Sequence, residues 1–105
     1  MGKEGIREIE GFLKKVKERF DPELLLLFGS RARGEYLKQS DYDFIIVSKK
    51  FEGVHFLDRM YRVLELWDYD WEVDILPYTP SEFEEKRKEI GIVGEAVKEG
   101  MVIEV

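Results

Sequence analysis

Five consecutive apolar residues, Leu24 to Phe28, break off at Gly29-Ser30, and a second apolar run opens on two acids, Asp41 and Asp43, and continues to Val47. Neither run alternates with polar residues. Each is therefore expected to be a central strand covered on both faces, which requires helices above and below a sheet. The turn between the runs is chemically specific. Glycine lets the backbone bend sharply and approach a ligand closely, and Ser30 is a good N-cap, so Ser30 to Tyr36 can open a helical turn whose free amides point at an anion. Arg31 and Arg33 follow at once and offer charge-assisted donors to the same phosphates.

Side chains two apart on a strand share a face, so Asp41 and Asp43 project together while Tyr42 turns to the other side. Two carboxylates held together in a partly dry site repel by about 4 kcal/mol at about 4 Å and an effective dielectric of about 20. A cation resolves the conflict. Mg²⁺ takes oxygen ligands and keeps room for substrate phosphates, which suits a pair of acids facing a phosphate-binding turn.

Gly29-Ser30, ten intervening residues, and then Asp41-x-Asp43 on an apolar strand resemble the nucleotidyltransferase superfamily that includes DNA polymerase beta. The segment LFGSRARGE is most similar to the minimal nucleotidyltransferases, the antitoxin half of HEPN/MNT toxin–antitoxin pairs. The resemblance runs from about Phe20 to the end of the chain, and its weight comes from both motifs occurring in order, at that spacing, on the expected elements. It implies two Mg²⁺ ions on Asp41 and Asp43, ATP as substrate with its phosphates on Gly29 and Ser30, and a third acid on the strand after the next helix.

The rest of the chain supplies that strand and the layers around it. Ile6, Ile9, Leu13, Val16 and Phe20 recur at spacings of three and four, predicting an amphipathic helix from Glu4 to Phe20 that Asp21-Pro22 ends. After the strand from Asp41 to Val47, Lys49, Lys50 and Gly53 lead into a second helix, about Val54 to Trp67. Its apolar arc is wide enough to leave surplus surface around Tyr61 and Trp67, for a partner or for a thick core. Period-two alternation predicts a third strand over Trp71 to Leu76. Asp74 matches the third acid of the resembled family, and Glu72, on the same face, is its rival. Apolar Val73 and Ile75 favour Asp74 as the more buried of the two. Ser81 with Glu84 forms an expected capping box for a helix to Glu89, Ile90 to Glu99 predicts another closed by Gly100, and Met101 to Val105 a final strand.

Composition bounds what such a chain does. With 105 residues, 44% hydrophobic and 38% charged, it has the size and content of one globular domain, residues 1–105. A net charge of −6 speaks against a broad nucleic-acid footprint, so no direct nucleic-acid contact is expected. The absence of cysteine removes disulfides and thiolate metal sites. No stretch resembles a signal peptide or a membrane span, giving a cytoplasmic expectation. The lack of Asn, with a single Gln and abundant Lys, Arg and Glu, is a pattern of thermophilic proteins. His55 is expected at a helix rim.

The reading is thus an α/β (α+β) nucleotidyltransferase fold, a mixed sheet of about four strands flanked by helices. The expected activity is Mg²⁺-dependent transfer of AMP from ATP to a tyrosine hydroxyl of a HEPN-type toxin, which the resemblance supplies as partner. Asp74 orients or deprotonates the acceptor, and Arg33 and Arg31 assist the triphosphate. Alternatives are a non-catalytic nucleotide- and metal-binding module that occludes a toxin, or transfer to a small molecule or an RNA end. Self-association stays open.

Overall fold

The computed structural model describes residues 7–28, 42–89 and 91–103. Helix α1 (Glu10–Phe20) leads into β1 (Leu24–Phe28), followed by β2 (Tyr42–Val47), α2 (Phe56–Leu64), β3 (Val73–Tyr78), α3 (Pro80–Lys88), α4 (Ile92–Glu99) and β4 (Met101–Val102). This is the expected order of elements. The sheet runs β3-β2-β1-β4. Strand β1 is antiparallel to both β2 and β4, while β2 and β3 are parallel, so the sheet is mixed.

Side-chain alternation divides the core in two. Leu25, Leu27, Tyr42, Phe44, Ile46 and Ile75 face α1, where Phe12, Leu13, Val16 and Phe20 cover them. Leu26, Ile45, Val47 and Tyr78 face the opposite way, against Phe83 of α3 and Val93 and Ala96 of α4. Strands buried on both sides have no polar face to display, which is why β1 and β2 read as unbroken apolar runs.

Several boundaries differ from the sequence reading, each for a local reason. Helix α1 begins at Glu10, after a turn at Glu8 and Ile9; its expected first residues, 4–6, lie outside the described residues. Helix α2 is shorter than Val54–Trp67, because His55 is extended and caps the helix, its Nδ1 accepting from the Leu57 amide at 3.2 Å. At the other end Trp67 has left the helix and donates its indole N–H to the Trp71 carbonyl at 2.8 Å. Strand β3 is shifted toward the C-terminus and contains Pro77. Among the described residues it pairs only with β2, and an edge strand tolerates the missing donor. The capping box is Thr79 with Glu82, with Pro80 in the first turn, and not Ser81 with Glu84. Glu84 instead meets Arg87 at 3.4 Å. Helix α4 starts at Ile92 rather than Ile90, and β4 holds Met101–Val102, with residues 104–105 outside the described part.

Trp67 corrects the expected partner surface. It packs edge-on against Phe12 at 4.9 Å between ring centroids and against Tyr42 at 5.5 Å. Tyr69 and Trp71 join the same aromatic cluster.

Candidate functional site

Strand β2 delivers the first acid. Tyr42 is fully buried toward α1, so its neighbour Asp43 projects from the other face, where it is half-buried. For Tyr42 and Asp43 the expected partition holds, and Asp41 lies outside the described residues. The parallel register then sets Asp43 directly beside Asp74, and the antiparallel register sets Phe28 on the other side of Asp43. Phe28, Asp43 and Asp74 thus form one row across three strands on one face, with adjacent strands about 4.8 Å apart. The Tyr42 amide donates to the Glu72 carbonyl at 3.0 Å, and this bond locks the entry of β3 in that register.

Asp74 is exposed, and the expectation that apolar neighbours bury it is overturned. Val73 and Ile75 turn toward the α1 face and leave the side of Asp74 open. Glu72 is exposed too and precedes the strand, so burial does not separate the rivals. Register does, because Asp74 is the one aligned with Asp43. Gly29, Ser30, Arg31, Arg33 and Asp41 lie outside the described residues. In sequence they fall between Phe28, the last residue of β1, and Tyr42, the first of β2.

Two carboxylates on one face are hard oxygen donors suited to a divalent cation, and like charges this close favour its binding. Among the described residues no group of three or more His, Cys, Asp or Glu is gathered in metal-binding geometry. Asp43 and Asp74 are the pair this part of the structure supplies.

A feature absent from the sequence reading lies at the opposite end of β3. Arg59, only 6% exposed, donates to Glu82 at 2.6 and 3.3 Å, to the Val54 carbonyl at 2.8 Å and to the Pro77 carbonyl at 3.2 Å. The hydrogen bond from Arg59, aided by the Thr79 amide and opposed by burial, holds the Glu82 carboxyl below its usual range. Burial, with the charges of Glu82 and Glu89, pushes the neighbouring Tyr78 phenol up. A sequence clue existed: Arg59 falls on the inward line of α2 with Val63, at helical spacing.

The mixed sheet thus carries two acids side by side, Asp43 on inner strand β2 and Asp74 on its parallel neighbour β3. Residues 9–100 match the nucleotidyltransferase domain family, and the chain belongs to it. A crystal structure of a candidate nucleotidyltransferase from Sulfolobus solfataricus is similar, with 28% identity and a TM-score of 0.65 over 92% of this chain and 77% of that one. The fold is also similar to BolA1 from Arabidopsis thaliana, with 25% identity and a TM-score of 0.56 over 68% of this chain and 89% of the other. The BolA domain of SufE1 from the same plant shares the fold at 22% identity and a TM-score of 0.55, over 78% of this chain and 98% of that one. No curated protein matches the chain in sequence. Nucleotidyltransferases use a nucleoside triphosphate and a divalent metal. No helix among the described residues is long and apolar enough to cross a membrane.

Proposed function

We propose that this protein transfers AMP from ATP to a tyrosine hydroxyl of a HEPN-type partner toxin and thereby acts as an antitoxin. The observation that carries the transfer reading is the row in which Asp43 and Asp74, from separate strands, stand side by side on one face. The acceptor rests on the similarity of LFGSRARGE to the minimal nucleotidyltransferases.

In this reading Gly29 and Ser30 cradle the β- and γ-phosphates through backbone amides, and Arg33 and Arg31 neutralise them. Asp41, Asp43 and Asp74 would hold Mg²⁺, two ions by the resemblance, which when bound offset the charge of the triphosphate and polarise the α-phosphorus. Asp74, which is exposed, orients the acceptor hydroxyl and takes its proton. The acceptor oxygen bonds to the α-phosphorus as the bond to the β-phosphate oxygen breaks, and pyrophosphate leaves. The added AMP places an anion on the toxin, where it obstructs a nuclease site that must itself bind phosphate.

The test is incubation of the purified protein with its partner, ATP and Mg²⁺. Pyrophosphate release, with AMP increments on a partner tyrosine by mass spectrometry, is the expected result. A partner silenced without modification overturns transfer and leaves an occluding module, and AMP on a small molecule or an RNA end redirects the acceptor.

A further inference from the structure

Helix α2 presents two opposite characters. Arg59 and Val63 are buried inward, while Leu57 and Tyr61, one turn apart, stay 53% and 63% exposed. Beside this apolar pair, on one flank, lie exposed Asp58 and Arg62, also one turn apart. Among the described residues neither joins an ion pair with a neighbour. The pattern is self-complementary. Asp58 and Arg62 stand two residues to either side of Met60, so a two-fold axis between two antiparallel copies, at the level of Met60 and normal to the plane of the helices, sets each Asp58 level with Arg62 of the other copy. That axis keeps the charged flanks of both helices on the same side. It also brings each Leu57 within about 3 Å of the axial level of the other copy's Tyr61, at 1.5 Å rise per residue.

We propose that α2 is the isologous interface of a homodimer, built on reciprocal Leu57–Tyr61 contacts and two Asp58–Arg62 ion pairs. Charge order selects a second copy over an unrelated partner, because one helix carries both halves of the match in mirror order. A nine-residue helix is small beside the roughly 800 Å² per partner of a standard interface, so the expected dimer is a weak, reversible one. The inference is independent of the transfer reading, since none of its residues belongs to the acidic row.

Sedimentation equilibrium on the full chain, up to about 0.5 mM, tests it. Wild type should move with concentration from 12.5 kDa toward twice that mass. Asp58→Arg and Arg62→Asp should each weaken association about tenfold, since two attractions become repulsions, and the double exchange should restore it. Circular dichroism checks that each variant is folded. A wild type that stays at chain mass overturns the proposal. So does a dimer indifferent to the single reversals, or a double exchange that fails to rescue.

Discussion

Asp43 and Asp74 carry the same chemistry in different surroundings, and their variants should separate accordingly. Asp43 is half-buried between Phe28 and Asp74. Asp43→Asn keeps the shape and removes the charge, so nucleotidyl transfer should fall by at least about a hundredfold in a variant that still folds. Pyrophosphate release measures the loss, and circular dichroism checks the fold. Asp74→Asn should lower turnover while retaining more ATP·Mg²⁺ affinity than Asp43→Asn in calorimetric titration, and Glu72→Gln should stay near wild type. The reverse order would transfer the role to Glu72. The face of Asp43 was legible because period two fixes it once Tyr42 is recognised as core. The exposure of Asp74 was not, since Val73 and Ile75 report only on the face they occupy.

Among the elements, α2, β3 and α3 are joined where Arg59 meets Glu82, and Glu82 also closes the capping box of α3. Thr79→Ala removes one half of that cap and should cost about 1 kcal/mol in chemical denaturation. The pH dependence follows from the lowered Glu82 carboxyl. A depressed folded value contributes stability that is complete above the ordinary value of 4.5 and is lost as pH falls through the folded value. Glu82→Gln should therefore be less stable than wild type at neutral pH, with the gap closing as the pH falls below the ordinary value of 4.5 and through the lowered folded value. Because the Glu82 side chain is 43% exposed, solvent screens the pair, and the gap should be about 1 kcal/mol. Denaturation midpoints at pH 7 and pH 3 decide it. The node escaped the sequence reading because an Arg in an amphipathic pattern counts as surface until its partners, here on a later helix and on β3, are known.

Across the whole molecule, a functional site on this fold should couple to its stability. ATP·Mg²⁺ at about ten times its dissociation constant adds about 1.4 kcal/mol, and for a domain near 100 residues this raises Tm by about 6 to 11 °C. Asp43→Asn should lose most of the shift; an equal shift would place the nucleotide elsewhere. The sequence by itself determined the order of elements, the two strands buried on both faces and the helical faces, because these depend on periods of two and 3.6 that are written locally. Tertiary structure alone decided that Asp74 aligns with Asp43, that Trp67 turns into the core while Leu57 and Tyr61 stay outside, and that Glu82 reaches back to Arg59. Each is a pairing between residues distant in the chain, set by strand register and by which face the neighbouring layer covers, and no local pattern encodes either.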